Sequence, residues 1–409
     1  MVVAFSVVSV AVAACAEPGP ASVLPPTPQS ATAPTGAPGT EAAESATPRP
    51  AGQGSPTPVV LATPAGPGVE VVYERGGELW SLAVATREAS LAAQGLQGSG
   101  TSDMGDPWAL APDGRYLAFI RNSQGQAVLA LATLPGGRPQ EVGRYAGRVD
   151  ALHWSHSAAQ VAFVVNRRDE RTGDLLEESL RLYNVASGHE ATLYQQTFTN
   201  PDTVRQEMWL EGWVPGDAAL YVALATDRTG DPGTLYALDA RGGEPRPISA
   251  DYSLKGGQAI SPVASRVLLR NRSLSGRASP LYMARAAADG SLSEVTLLSP
   301  EDWIVGAVAW SPDGQRVVVE RLEAEAHGTF SGHLWLLAPG GAAPRQLTAD
   351  PSFREEQPVW TPDGSTIVFG RWLAAQPQPA GLWGWDSSTG EVAMLDEAGV
   401  RPQAASRAR

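Results

Sequence analysis

Val308-Ala309-Trp310-Ser311-Pro312-Asp313-Gly314 is the stretch of sequence that decides the fold of this chain. Three more short runs follow it, at residues 316–320, 334–337 and 346–348, and turn residues separate one run from the next. A period of roughly 40–50 residues with four strands per unit is typical of a β-propeller. The unit therefore predicts an all-β fold in which each repeat forms one four-stranded blade.

Weaker copies of the same unit align along the rest of the chain. The turn is kept in Trp-Thr-Pro-Asp-Gly at 360–364 and Ala-Pro-Asp-Gly at 111–114, and it decays in three other copies. Two positions before the turn proline or its equivalent stands a large apolar residue: Leu110, Trp154, Trp213, Ile260, Trp310 and Trp360. The third run repeats a leucine-aromatic pair: Leu79-Trp80, Leu182-Tyr183, Leu235-Tyr236, Leu281-Tyr282, Leu334-Trp335 and Leu382-Trp383. Aromatic residues that recur at one register predict packing between neighbouring blades.

The first unit, from Val69 to about Ala93, lacks the opening strand and its turn. Six full units and one three-stranded unit favour a single propeller of seven four-stranded blades. A six-bladed ring with a displaced terminal segment is the alternative. Residues 58–63 are β-prone and are a candidate for completing the first blade.

These units resemble the TolB-like propeller repeat, a WD40-like module whose hallmark is a Trp-Ser-Pro-Asp-Gly turn. The resemblance rests on residues 310–314, 360–364 and 111–114 with their leucine-aromatic partners, and it covers roughly residues 69–397. It implies the propeller fold. The family includes periplasmic translocation proteins, surface lipoproteins, propeller domains of prolyl-oligopeptidase-type enzymes and some polysaccharide lyases. The resemblance therefore implies recognition of a protein or peptide more often than catalysis.

The segment before the propeller is predicted to contain a targeting signal and a linker. Residues 1–15 are predicted to be a lipoprotein-type signal segment. Val2 to Ala14 form an apolar run that is too short to span a membrane, and Ala13-Ala14-Cys15 at its end looks like a bacterial lipobox. Cys15 is the only cysteine of the chain, so an internal disulfide is excluded. No Lys or Arg precedes the apolar run, as a signal peptide normally requires, and a true start upstream of Met1 would account for this. We expect an extracytoplasmic protein anchored to a bacterial membrane by lipid on Cys15; ordinary secretion is the alternative.

Residues 16–66 are rich in Pro, Ala and Thr and nearly free of large apolar side chains, which predicts a disordered linker. We assign residues 67–397 to the propeller and the short polar stretch 398–409 to a disordered tail. The net charge of −13 and the pI of about 4.9 disfavour nucleic acid as a partner. The chain contains no Gly-x-Ser-x-Gly nucleophile motif, and no resident cofactor is expected.

Acidic residues recur where the first strand of a blade enters the channel of the propeller. Six positions before the turn proline or its equivalent stand Asp106, Asp150 and Glu356 in three different units, and Glu211 lies close to this position in a fourth. Clustered carboxylates focus a negative field. They predict a channel mouth that binds a basic group of a partner or, with less support, a divalent cation such as calcium.

Strand order also predicts which face of the propeller recognises a partner. The long connections at 166–178, 195–208, 271–279, 322–332 and 372–380 all emerge on the face of the acidic mouth, whereas the Pro-Asp-Gly turns emerge on the other face. The sequence thus favours a non-catalytic monomer that binds a protein, peptide or glycan through its loop-rich face. The alternative is a propeller lyase or hydrolase that uses the channel-mouth carboxylates.

The lipid anchor is tested by replacing its attachment residue. Cys15→Ser, expressed from the true start, should move the protein from the detergent-extracted membrane fraction to the soluble or unprocessed fraction. The parent protein treated in parallel is the control. Unchanged fractionation of the variant would contradict lipidation at Cys15.

Overall fold

The computed structural model describes residues 70–94, 107–198, 206–226, 233–256, 258–272, 278–324, 330–376 and 378–406. The predicted linker, Cys15 and Asp106 lie outside these residues. In the described part of the chain no helix is long and apolar enough to cross a membrane.

Seven sheets of four antiparallel strands account for the described residues, so the seven-bladed prediction is confirmed and the six-bladed alternative is excluded. Blade 1 contains β1 (Val71–Arg75), β2 (Glu78–Ala83) and β3 (Glu88–Ala93), and blade 2 contains β4 (Trp108–Leu110), β5 (Tyr116–Ser123), β6 (Gln126–Thr133) and β7 (Gln140–Tyr145). Blade 3 contains β8 (Arg148–Trp154), β9 (Gln160–Arg168), β10 (Leu175–Asn184) and β11 (Glu190–Thr197). Blade 4 contains β12 (Gln206–Trp213), β13 (Ala219–Thr226), β14 (Thr234–Asp239) and β15 (Arg246–Ser249).

Blade 5 contains β16 (Tyr252–Leu254), β17 (Arg266–Asn271), β18 (Leu281–Ala286) and β19 (Leu292–Leu297). Blade 6 contains β20 (Ile304–Trp310), β21 (Val317–Ala324), β22 (Phe330–Leu337) and β23 (Arg345–Gln346). Blade 7 contains β24 (Phe353–Trp360), β25 (Thr366–Leu373), β26 (Pro379–Asp386) and β27 (Val392–Asp396). A last strand, β28 (Val400–Ala404), pairs with β1 and is the fourth strand of blade 1.

The C-terminal strand corrects two predictions about the ends of the domain. Val71 pairs with Ala404 and Glu74 pairs with Val400, so β28 is the strand that the first unit lacks. The propeller therefore continues past residue 397, and the prediction of a disordered tail at 398–409 is wrong for residues 400–404. Residues 58–63 lie outside the described residues, and β28 takes the place that they were predicted to fill.

Gln403 ties the closing strand to the next blade. Its Oε1 accepts a hydrogen bond from the Leu110 N–H at 3.1 Å, and its Nε2 donates to the Trp108 carbonyl at 3.1 Å. The Ser406 N–H donates to the Pro112 carbonyl at 3.0 Å. Because these bonds join residues about 300 positions apart, the ring is held shut by the last strand of the chain.

The repeated turns have the geometry that their residues predict. The Gly314 N–H donates to the Ser311 carbonyl at 2.9 Å, and Asp313 Oδ1 accepts from the Gln315 N–H at 3.0 Å. Gly314 has a φ of +66°, which glycine adopts at little cost. In two decayed copies, Ala158 (φ +59°) and Asp217 (φ +61°) take the same left-handed conformation, at a cost of roughly 1–2 kcal/mol each.

The recurrent tryptophans pack between blades, as their register predicts. Three of them also donate an indole N–H to a backbone carbonyl of the preceding blade. Trp154 donates to Ala109 of β4 at 2.9 Å, and Trp213 donates to His153 of β8 at 3.1 Å. Trp310 donates at 3.0 Å to Ala259, which lies in the bulge after β16. Trp310 is only 5% exposed, and truncation of so large a buried side chain typically costs ~3–5 kcal/mol. These side chains therefore support the fold.

Candidate functional site: the central channel

A cavity of about 460 Å³ occupies the centre of the ring. All seven blades contribute to its wall, because the innermost strand of each blade faces the axis. Trp108, Trp154, Trp213 and Trp310 supply aromatic surface, and Lys255 supplies a charge. Its volume lies within the range of small-molecule sites in proteins.

The structure places three of the four predicted acidic residues beside this channel. Asp150, Glu211 and Glu356 lie on β8, β12 and β24, each the innermost strand of its blade. The residue after each of them lines the cavity. Asp106 lies outside the described residues. Asp150 and Glu356 stand at the same register of the repeat, six positions before the turn proline or its equivalent, and Glu211 lies two positions further along its strand.

Basic side chains interrupt the predicted acidic mouth. Asp150, 5% exposed, accepts hydrogen bonds from Arg148 Nε at 2.9 Å and Asn166 Nδ2 at 2.8 Å. Burial raises the pKa of Asp150, and the charge of Arg148 and the hydrogen bond from Asn166 limit the rise. Glu356 forms an ion pair with Arg354 at 3.3 Å.

Burial also raises the pKa of Glu356, and the guanidinium groups of Arg354 and Arg401 oppose the rise. For Glu211, burial raises the pKa to about 7, and the charge of Arg270 opposes it. Cations therefore stand among the acids that the sequence predicted at the channel mouth. Arg148 and Arg354 lie two positions before Asp150 and Glu356, and residues i and i+2 of a strand share a face. That spacing was present in the sequence and could have revealed both pairs.

A bulge after the acidic position shapes the wall of the channel. In β8 the pairing register jumps from Asp150 to His153, and in β24 it jumps from Glu356 to Val359. Three residues in such bulges take left-handed backbone conformations without being glycine: Ala151 (φ +56°), Gln357 (φ +51°) and Arg401 (φ +52°). Bulges of this kind re-aim side chains and recur beside functional sites. In these strands the bulge directs the residues that follow it into the cavity wall.

Blade 6 carries its acid on the second strand instead of the first. Glu320 of β21 faces the bulge at Gly306 and Ala307, and its Oε2 accepts a hydrogen bond from the Ala307 N–H at 3.0 Å. A Cβ atom on Gly306 or on Gly332 would overlap the Glu320 carboxylate. The two glycines therefore leave a slot that this side chain fills. Burial raises the pKa of Glu320 to about 7, which the Ala307 N–H opposes.

A second buried charged cluster, which the sequence did not indicate, joins blades 6 and 7. Glu355 has no exposed surface and accepts hydrogen bonds from Arg371 Nε at 3.0 Å and Thr348 Oγ1 at 2.7 Å. His333 Nδ1 lies 3.0 Å from the same carboxylate. The hydrogen bond to Glu355 raises the pKa of His333. Both oxygens of Glu355 are satisfied by these partners, so the cluster holds the two blades together.

The described residues contain no group of three or more His, Cys, Asp and Glu side chains that could hold a metal ion.

Burial lowers the pKa of His153, which lines the cavity, to about 4, so its ring is neutral at pH 7. His156 lies 2.7 Å from Asp217 on the face of the tight turns. Burial disfavours the charged form of Asp217, but hydrogen bonds from His156 and Ser157 outweigh it and lower the pKa of Asp217 to about 2.

No protein-family model matches the chain, and no curated protein matches it. Solved structures do match. A prolyl endopeptidase is 13% identical over 82% of this chain and 50% of its own, with a TM-score of 0.57. An oligogalacturonate lyase from Vibrio parahaemolyticus is 12% identical over 76% of this chain and 84% of its own, with a TM-score of 0.56.

The β-propeller domain of the Trilobed protease from Pyrococcus furiosus is 14% identical over 83% of this chain and 96% of its own, with a TM-score of 0.53. TolB structures match with TM-scores of 0.42 and 0.43, which are too low to carry an argument. The chain spans about half the length of the prolyl endopeptidase. At such identities the likeness shows the fold alone, and the fold that this chain shares with these proteins is the β-propeller.

The slot around Glu320 predicts a pH-dependent stability. Because the folded-state pKa is raised, the folded protein binds more protons than the unfolded chain between pH 4.5 and 7, and the Glu320 contribution to stability falls as the pH rises through this window. Glu320→Gln keeps an acceptor for the Ala307 N–H and removes the ionisable group, so the variant does not undergo this loss of stability as the pH rises. Its melting temperature should therefore exceed that of the parent by about 1–3 °C at pH 8 and by less at pH 5.

Glu323→Gln, an exposed position on the same strand, is the matched control and should show no pH-dependent difference from the parent. Thermal unfolding of the three proteins at both pH values measures the effect. An equal difference at pH 5 and pH 8 for Glu320→Gln would contradict the raised pKa.

Proposed function

We propose that this protein is a non-catalytic propeller of the cell envelope, a monomer anchored by lipid on Cys15, that binds a protein, peptide or glycan through its loop-rich face. The anchoring rests on the sequence, since Cys15 and the linker 16–66 lie outside the described residues. The binding face rests on the hairpin formed by β9 and β10.

This hairpin is the observation that carries the proposal. Its strands are nine and ten residues long, and its tip, residues 169–174, is largely exposed. Asp169 Oδ1 accepts hydrogen bonds from the N–H groups of Arg171 and Thr172 at 2.9 Å each, and these bonds lower the pKa of Asp169. A polar loop that holds one conformation by itself loses little entropy on binding, so it suits recognition.

The base of the hairpin is fixed to its own strands and to the next blade. Arg167 forms an ion pair with Glu177 at 3.2 Å, and Arg168 forms one with Glu207 of β12. The buried Glu178 accepts a hydrogen bond from the Met208 N–H of β12 at 2.8 Å. The tip is therefore presented on a rigid base, which is the usual arrangement of binding loops on a propeller or sandwich scaffold.

The opposite face offers little to a partner. Its turns use their own side chains: Asp113, Asp313 and Asp363 each accept from the N–H two residues further on. Asp217 binds the N–H groups of His156 and Ser157 in the neighbouring turn. Polar groups that are satisfied within or between tight turns leave few directional contacts for a ligand.

The alternative is a propeller lyase or hydrolase that uses channel-mouth carboxylates, with or without a divalent metal such as calcium. Two of these carboxylates, Asp150 and Glu356, form ion pairs with an arginine of their own strand. A carboxylate held in this way is less suited to moving a proton or binding a cation than a free one. This is the reason for preferring a binding role.

A charge reversal at the hairpin tip tests the binding face. With the full chain carrying Cys15→Ser as bait in an envelope extract, the double variant Glu170→Arg/Arg171→Glu should capture at least about tenfold less of any partner held by the parent, the loss expected of one or two directional contacts. Both side chains are exposed, so the melting temperature should not change. Arg115→Glu, exposed on the opposite face, should capture as much as the parent. Equal capture by both variants would contradict the proposal.

A further inference from the structure

Lys255 is the only lysine in the chain, and it lines the central cavity. It follows β16, where the innermost strand of blade 5 leaves the regular ladder. The Lys255 N–H donates to the Leu268 carbonyl at 3.1 Å, and pairing resumes only between Ile260 and Val267. The intervening bulge includes Gly256 at a φ of +91°, a conformation suited to glycine. This irregular segment puts Lys255 in the wall of the channel.

The amine has no ion-pair partner among the described residues. Arg270, on the neighbouring strand of the same blade, and Glu320 of blade 6 are the charged groups that act on it. Glu320 forms no ion pair with the amine: its carboxylate binds the Ala307 N–H in the slot between Gly306 and Gly332, and its charge favours the protonated amine without direct contact. Burial and the charge of Arg270 lower the pKa of Lys255 to about 8. At pH 7 most molecules therefore hold a protonated amine that has no ion-pair partner among the described residues, and a bound anion would stabilise it.

The rest of the wall suits the apolar part of a ligand. Trp154, Trp213 and Trp310 already donate their indole N–H groups to backbone carbonyls. The exposed part of each residue is small, 8%, 2% and 5% in turn, and it contributes apolar surface to the cavity that these residues line. Among the described residues that line the cavity, none is Asp or Glu. The other lysine or arginine in the lining, Arg401, forms an ion pair with Glu74 at 3.2 Å, whereas Lys255 forms no ion pair among the described residues.

We propose that the central channel binds a small organic monocarboxylate, with its carboxylate on the Lys255 amine and its apolar body against the tryptophans of the wall. One unpaired amine neutralises one charge, so a monoanion fits better than a phosphate or a dicarboxylate. The cavity of about 460 Å³ has room for a molecule of drug size or smaller. This site is separate from the hairpin tip on the loop-rich face.

Proton linkage gives the site a signature. A bound carboxylate favours the charged amine and so raises the pKa of Lys255 above its value of about 8. By the same linkage, affinity for the carboxylate must fall as the pH rises through 8, because the amine loses its proton. An uncharged analogue of the same shape has no such dependence.

A single-residue NMR titration tests the proposal. Reductive methylation of the full chain with ¹³C-formaldehyde labels the N-terminus and Lys255 alone, and Lys255→Met assigns the two signals. Indole-3-acetate is the probe, and indole-3-acetamide is its uncharged match. We expect the acid to shift the Lys255 signal and raise its pKa by at least about half a unit, and to bind at least about tenfold more tightly than the amide at pH 7.

Lys255→Met should lose this preference for the acid, whereas Lys255→Arg should keep it and bind equally well at pH 7 and pH 9. Binding by both variants is followed through indole fluorescence quenching or calorimetry, which does not depend on the label. Three results would overturn the proposal: equal affinity for acid and amide, an unchanged Lys255 pKa at saturation, or no response to indole-3-acetate, benzoate or octanoate at 10 mM.

Discussion

The antiparallel pairing of β28 with β1 is the constraint on which the rest of the structure depends. Every other blade takes its four strands from one continuous segment, so its strands pair without a contribution from a distant part of the chain. Blade 1 cannot, because its innermost strand comes from the far end of the chain. Gln403 then binds the backbone of Trp108 and Leu110, and Ser406 binds that of Pro112. The channel has a complete wall only when these contacts form.

The channel and the loop-rich face are separate surfaces, one for each of the two proposed ligands. Around the axis, bulges in the innermost strands turn side chains inward. Cations stand among the acidic side chains there, and burial raises the pKa of these acids. At the periphery, the β9–β10 hairpin projects a polar tip from a base fixed to the next blade. A small ligand in the channel and a larger partner on the hairpin would occupy different surfaces of one rigid scaffold.

The repeat made most of the fold predictable, because each unit encodes its own blade through local turns and a recurrent aromatic register. The last strand was not predictable in this way. Residues 400–404 lack the tryptophan and the turn of the other innermost strands, and they read Val-Arg-Pro-Gln-Ala, as polar as a tail. Their identity as a strand comes from partners more than 300 residues away, which a reading along the chain does not show. The acids at 150 and 356 followed from the register; their arginine partners lay two residues away in the same strands. The sequence did not single out Lys255, because only the bulge in blade 5 shows that this residue lies in the channel wall.

Closure by the C-terminal strand can be measured directly by comparing two truncations. A chain that stops after Ala398 lacks β28, whereas one that stops after Ser406 keeps it together with its contacts to blade 2. We expect the shorter chain to melt about 10 °C or more below the longer one, and a synthetic peptide of residues 397–409 to restore its melting temperature in a concentration-dependent way. Equal melting temperatures for the two chains, with no effect of the peptide, would contradict a ring held shut by its last strand.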